Sequence, residues 1–310
     1  MSGGARVPWM AEQFCDVGRG ITLCWEDFGD AQDPTMLLVM GLATQMIAFQ
    51  DDFCERIAAR GFHVVRFDNR DIGRSTHVNG RVPTPADLLL RRRSAASYTL
   101  AHMAGDTAGL LRNLDIGPAH VVGVSTGGMI AQTLAALHPE HVLSLVSIMS
   151  NTGSRWSGQP SPHLYPLFLS RPRVGREEFI ARVERTFNAI GSKELPRDPE
   201  DLHRLAVESY ERDHDPHGPQ RQLAAIIASG DRRAELQAID VPTLVIHGDA
   251  DPLVALSGGR ATARAIPGAR LMIVPRMGHD LPRVLWPQII DAIVDNARLA
   301  EQRSHAATAA

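Results

Sequence analysis

The stretch that decides the fold is Ala119-His120-Val121-Val122-Gly123-Val124-Ser125-Thr126-Gly127-Gly128-Met129-Ile130-Ala131. It reads as a short apolar strand, a serine flanked by glycines, and the start of a helix. The G-x-S-x-G spacing places a serine on a sharp strand-to-helix turn with its hydroxyl exposed. Gly123 and Gly127 have a steric reason to be there. So tight a turn brings strand and helix backbones together and forces the serine into a sparsely populated backbone region. The plainer alternative is that Ser125 merely caps a helix after a glycine turn. Partners elsewhere in the chain decide between the two.

A chain of 310 residues with 44% hydrophobic content buries roughly three quarters of its unfolded surface. That suits one large α/β domain, or one domain carrying an inserted cap. The formal net charge of -3 gives no reason to expect nucleic acid or an anionic membrane as partner. No apolar run approaches ~18 residues, so no membrane span is expected. Met1-Ser2-Gly3-Gly4-Ala5-Arg6 lacks the apolar core of a secretory signal, and a cytoplasmic location is the expectation. Cys15, Cys24 and Cys54 form no C-x-x-C pair and read as buried, reduced thiols. Nothing in the sequence sets the oligomeric state.

Taken in order, residues 13–17 and 21–28 are β-type runs parted by Gly18-Arg19-Gly20, the pattern of a hairpin. Residues 36–40 are a continuous apolar run, as expected of a strand buried on both faces, and 62–67 read as the next buried strand. Helical spacing follows over 48–60 and 100–114. Then come a strand at 121–124, a helix at 129–137 and a strand at 143–149. This alternation predicts an α/β fold with a mostly parallel central sheet and helices on both faces. After Asn151 the rhythm breaks. Residues 154–238 hold charged helical segments (176–190 and 199–211) and many prolines but no convincing strand, so they are expected to form an inserted helical cap. The alternation resumes with strands at 241–247 and 270–274 and helices at 258–265 and 287–300. The expected division is a core of 11–153 and 239–302, a cap of 154–238, and flexible termini at 1–10 and 303–310.

Catalytic groups in open α/β sheets gather beyond the carboxyl ends of the strands. A serine hydroxyl needs a base within reach, itself oriented by a third group. Two strand ends supply candidates: His247-Gly248-Asp249-Ala250-Asp251-Pro252 and Pro275-Arg276-Met277-Gly278-His279-Asp280. Serine, then acid, then histidine is the order expected with an elbow of this kind. Among 13 histidines, His279 is singled out by its place after a glycine, between the last strand and the last helix. For the acid, Asp249 suits a turn-holding hydrogen bond. Asp251 precedes Pro252, whose ring biases it to an extended backbone, and is preferred. Asp280 is expected to point away from the imidazole and act as a cap. The strand end at 149 offers Ser150-Asn151-Thr152 and no carboxylate. Oxyanion donors are expected from the backbone N–H of Thr126, at the start of a helix, and from the N–H of Leu42, with Gly41 allowing close approach.

These blocks together resemble the α/β-hydrolase superfamily over residues 21–300. Leu37-Leu38-Val39-Met40-Gly41, Arg66-Phe67-Asp68-Asn69-Arg70-Asp71-Ile72-Gly73-Arg74-Ser75-Thr76, Gly123 to Gly128, Val241 to Ile246 and Met277-Gly278-His279 are similar to the branch containing aclacinomycin methylesterase and related bacterial carboxylic ester hydrolases. The resemblance implies the α/β-hydrolase fold, Ser125, Asp251 and His279 as triad, Leu42 and Thr126 as oxyanion donors, and no cofactor. Met40 occupies the place where many such enzymes carry histidine. The resemblance also implies that Asp68-Asn69-Arg70-Asp71 is a hydrogen-bonded corner centred on Arg70 rather than a catalytic element.

The expected activity is hydrolysis of a small-molecule carboxylic ester through an acyl-enzyme. Lactonase, thioesterase, cofactor-free haloperoxidase or perhydrolase, and small-molecule receptor are the alternatives on the same fold, and a proline-specific peptidase finds no clear acidic pocket in the cap. Dehalogenases and epoxide hydrolases need an aspartate nucleophile, and position 125 is serine. Met40, Met46, Met129 and Met149 suggest a deformable apolar pocket, with ordinary core packing an equal reading. Gly41, Met40 and Met129 are the candidate substrate-binding positions.

Overall fold

A computed structural model describes residues 12–164 and 175–308, with side chains as far as residue 303. Eight strands form one sheet: β1 (Gln13–Gly18), β2 (Ile21–Phe28), β3 (Thr35–Val39), β4 (His63–Phe67), β5 (Ala119–Val124), β6 (Val142–Ile148), β7 (Thr243–Gly248) and β8 (Arg270–Val274). Their spatial order is β1-β2-β4-β3-β5-β6-β7-β8. β2 runs antiparallel to both β1 and β4, and from β4 to β8 every pairing is parallel. A parallel pairing cannot close with a tight turn, so each one requires a crossover.

Alternation along the strands sorts the core into two layers. Leu37, Val39, Val65, Val121 and Leu145 face one side, where α3 (Leu100–Asn113) and α4 (Thr126–Leu137) pack through Leu110, Leu111, Ile130 and Leu134. Met36, Leu38, Val64, Val122 and Val146 face the other. There they meet α1 (Asp51–Ala58) through Phe53 and Ile57, and the last helix, α10 (Trp286–Thr308), through Ile289 and Ile293. Between the layers, every residue of β3, β4 and β5 is buried, which accounts for their mostly apolar character; the buried Arg66 is paired with Glu26 and Asp51.

Among the described residues, the segment between β6 and β7 contains no strand. It holds α5 (Arg176–Ile190), α6 (Pro199–Arg212), α7 (Gly218–Ser229) and the short α8 (Arg233–Leu236). The first two occupy the segments read as helical from sequence, and α7 adds a helix to that segment. A short helix α2 (Pro85–Leu89) precedes α3, and α9 (Leu256–Ala265) joins β7 to β8. The last helix runs past the boundary at residue 302 drawn for the core. It reaches Thr308, because Ala306 and Ala307 are strong helix formers and no glycine or proline follows Pro287 of its first turn. The expected flexible segment 1–10 lies outside the described residues, as do 309–310.

The three cysteines are buried and unpaired. Burial pushes the Cys54 thiol up to about 12, so it is protonated at neutral pH. No described helix is long and apolar enough to cross a membrane.

Candidate active site

Ser125 sits at the end of β5 with φ 56° and ψ -119°, a combination rarely adopted by a residue with a side chain. The surrounding backbone holds it there. The Ser125 N–H donates to the Ile148 carbonyl at 2.9 Å, and α4 begins at the next residue. The two flanking glycines answer to contact. A Cβ on Gly123 would lie 2.2 Å from the Gly127 carbonyl oxygen, and one on Gly127 would lie 2.0 Å from that of Val39. Any side chain at either place would drive β5, β3 and α4 apart. Ser125 is therefore the residue of a strained elbow and makes no side-chain cap hydrogen bond to its own helix.

Two loops from neighbouring strands bring it partners. His279, in the loop after β8, places Nε2 3.0 Å from Ser125 Oγ. Its Nδ1 lies 2.7 Å from Asp251 Oδ2, in the loop after β7. The other oxygen of Asp251 accepts the N–H groups of Leu253 and Val254, both at 2.8 Å. One carboxylate oxygen is thus spent on fixing the side chain, and the second is left facing the imidazole. Asp251 and His279 are each only 7% exposed, which strengthens their hydrogen bond relative to one in water. Serine, imidazole and carboxylate form one continuous chain.

Asp249, the alternative acid, faces elsewhere. It is exposed and accepts the N–H of Arg276 at 2.6 Å, tying the acid loop to the histidine loop. A second imidazole, His247, approaches the Asp251 carboxylate at 3.7 Å. Its Nε2 is 2.8 Å from the Val254 carbonyl, to which it donates. Burial lowers its pKa against the opposing pull of that carbonyl and of Asp251. A neutral His247 leaves Asp251 to His279.

The histidine loop is also held from outside the sheet. The His279 N–H donates to the Ile190 carbonyl at the end of α5, 2.8 Å away. Ser192 Oγ accepts the Gly278 N–H at 2.8 Å, and Asp280 accepts both the N–H and the hydroxyl of Ser192. Asp280 does point away from the imidazole, but it caps no helix. It fastens the end of α5 beside the base. Sequence reading missed this contact because the partner is 88 residues away in a segment with no strand rhythm.

On the opposite side of the elbow lies the loop after β3. A Cβ on Gly41 would sit 3.1 Å from Ser125 Cβ and 3.6 Å from its Oγ, so Gly41–Leu42 runs directly against Ser125. Asn69 Nδ2 donates to the Met40 carbonyl at 2.9 Å. The Thr44 hydroxyl donates to the Leu42 carbonyl at 3.0 Å. The corner expected around Arg70 is more distributed than that. Arg70 pairs with Asp106 through two 2.5 Å bonds, Asp68 accepts from Met46, Arg74 and Arg212, and Asp71 accepts from Val78, Tyr98 and Arg221. Four adjacent polar residues thus hold four different parts of the chain.

Met40 and Met129 are each 6% exposed and pack into the two core layers. Met149 belongs to the second of these layers, and Met46 to a small cluster with Cys24 and Ile47. All four belong to the packed core.

A family profile described as alpha/beta hydrolase fold matches residues 34–282. The chain is 29% identical to rhodomycin D methylesterase DauP of Streptomyces sp. (strain C5) over 301 residues, 90% of this chain and 96% of that protein. It is 27% identical to rhodomycin D methylesterase DnrP of Streptomyces peucetius over 299 residues, covering 90% and 96%. Among solved structures, the enol-lactonase of Burkholderia xenovorans LB400 superposes with a TM-score of 0.73 at 23% identity, covering 92% of this chain and 99% of that one. The family match spans the elbow, the acid loop and the histidine loop, and the chain belongs to the alpha/beta hydrolase fold family.

Proposed function

We propose that this protein hydrolyses a carboxylic ester of a small molecule through an acyl-enzyme formed on Ser125. The observation that carries the reading is the 3.0 Å and 2.7 Å hydrogen-bond chain from Ser125 through His279 to Asp251, assembled at a strained elbow. His279 Nε2 takes the Ser125 proton as Oγ attacks the ester carbonyl. Asp251 fixes the tautomer with the proton on Nδ1 and stabilises the imidazolium. His279 then passes that proton to the departing alkoxide, which leaves as the alcohol. Water attacks the acyl-enzyme with His279 again as base, releasing the acid and restoring the serine.

The N–H groups of Leu42 and Thr126 serve as the oxyanion donors. Thr126 is the first residue of α4, where a backbone N–H has no acceptor within the helix and the helix dipole favours negative charge. Leu42 N–H has no acceptor among the described residues, and its loop lies against Ser125. Gly41 permits that approach, while Met40 and Met129 border the site as apolar lining. The described helices between β6 and β7, α5 to α7, act as the cap over it. Relatives named methylesterases at 27% and 29% identity over nine tenths of the chain support an ester with a small alcohol portion. No cofactor enters this chemistry.

A panel of p-nitrophenyl and alkyl esters of graded acyl and alcohol length, with a lactone and a thioester alongside, tests the reading. Ester turnover that is lost in Ser125→Ala supports it. Turnover confined to the lactone or thioester, or ligand-induced stabilisation with no product from any substrate, contradicts it.

A further inference from the structure

We infer that Gln222, on α7, is a positioning residue for the oxyanion loop, so that a helix outside the sheet sets the direction of the Leu42 N–H. The inference rests on the esterase reading above and deepens it.

The geometry is that of a bracket. Gln222 is 1% exposed, and a buried amide must find partners at both ends. Its Oε1 accepts the Ala43 N–H at 3.1 Å, and its Nε2 donates to the Arg70 carbonyl at 2.8 Å. One partner can only donate and the other can only accept, so the amide has a single satisfied orientation. Ala43 has φ 58°, a left-handed conformation that a residue with a side chain adopts only when its surroundings hold it there.

The consequence falls on the neighbouring peptide plane. The plane joining Leu42 to Ala43 is gripped at both edges, by the Thr44 hydroxyl on the Leu42 carbonyl and by Gln222 on the Ala43 N–H. The Met40 carbonyl, one peptide before Gly41, is gripped by Asn69. The peptide carrying the Leu42 N–H is held through the Gly41 carbonyl, which accepts the Thr44 N–H at 3.4 Å, and the planes on either side of it are fixed by these contacts. Gln222 touches no reacting atom; it acts through Ala43. Arg221, the adjacent residue, makes a useful control, since it seats the same helix on Asp71 at 2.6 Å without touching the loop.

The test compares wild type, Gln222→Met and Arg221→Met on an ester whose wild-type turnover depends on Ser125, together with amide hydrogen exchange over residues 40–46. Gln222→Met is expected to lower kcat by about 10- to 100-fold with KM within about twofold, since the lost alignment is felt mainly in the transition state. Affinity for a trifluoromethyl ketone, which forms an oxyanion on Ser125, should fall with kcat, while exchange at Ala43 rises. Arg221→Met should lower the melting temperature with a smaller loss of kcat. Wild-type kcat in Gln222→Met overturns the inference, as does an equal loss in both variants, which would mean that the seating of the helix alone matters. Should Gln222→Met fail to fold, Gln222→Asn takes its place: it keeps the amide but is one methylene too short to reach both partners, and wild-type kcat there overturns the inference equally. If wild type shows no turnover that depends on Ser125, the esterase reading itself falls, and the inference falls with it.

Discussion

The backbone N–H of His279 donates to the carbonyl of Ile190 across 2.8 Å, so the candidate base hangs from the end of a helix that lies outside the sheet. Asp280, next in sequence, completes the attachment through Ser192. Removing that carboxylate in Asp280→Ala frees one side of the loop. We expect kcat to fall by about tenfold through lost alignment, with little change in KM. Asp280→Asn keeps an acceptor for the Ser192 N–H and should retain most of the activity. Full kcat in Asp280→Ala, measured on the same ester, would show that the attachment is dispensable.

The two aspartates after β7 should separate cleanly. Asp251→Asn leaves the imidazole without its carboxylate and is expected to lower kcat by about 10³- to 10⁴-fold. Asp249→Asn only weakens the hydrogen bond to Arg276 and should cost about 1 kcal/mol of stability, with kcat nearly unchanged. Steady-state kinetics and urea unfolding of the pair check this, and a reversal of the two outcomes would move the acid to Asp249.

Arg232 is a buried cation, 1% exposed, with no carboxylate in contact among the described residues. Burial pulls its pKa down to about 10, which still leaves it charged at neutral pH. It donates instead to the Met129 and Asn151 carbonyls and to Gln132 Oε1, joining the returning chain after α7 to the helix that follows the nucleophile. Arg232→Met would take this donor from the Asn151 carbonyl and Gln132 Oε1, while the Met129 carbonyl keeps the Thr133 hydroxyl, and the loss should be about 2–4 kcal/mol in denaturant unfolding. An unchanged unfolding midpoint would mean that water replaces the guanidinium without cost.

Much of this arrangement was legible in the sequence. A continuous apolar run announced β3, because a strand covered on both faces needs no polar alternation, and short β-type runs announced β4 and β5. The elbow announced Ser125 because a serine between glycines has few other uses at a strand end. Asp251 could be preferred over Asp249 because Pro252 constrains the backbone before it. What stayed hidden were contacts between segments distant in sequence. Nothing around Gln222 advertises a partner at Ala43, 179 residues away. The one available signal was a glutamine on the same helical face as Ala225 and Ile226. His247 read as the end of a strand, and its closeness to Asp251 appears only when the loop folds back.

A pH effect on stability is expected from His77. Burial alone would lower its pKa, but the Gly73 carbonyl and the carboxylates of Asp213 and Asp215 outweigh it and raise the value above 6.5. A histidine whose pKa is raised by folding stabilises fully below its unfolded value and loses that contribution as pH rises through the folded value. His77→Gln should therefore be less stable than wild type at about pH 6, with the gap closing by about pH 9. Thermal melts across that range check it. A gap that does not vary with pH would assign His77 a purely neutral hydrogen-bonding role.

The central claim is that Ser125 is the nucleophile. A fluorophosphonate probe followed by intact-mass measurement and peptide mapping tests it most directly. One adduct per chain, on Ser125 alone, absent from Ser125→Ala and accompanied by complete loss of ester hydrolysis, is the predicted result. Retained hydrolysis in Ser125→Ala, or labelling of another serine while Ser125 stays unmodified, would contradict the account.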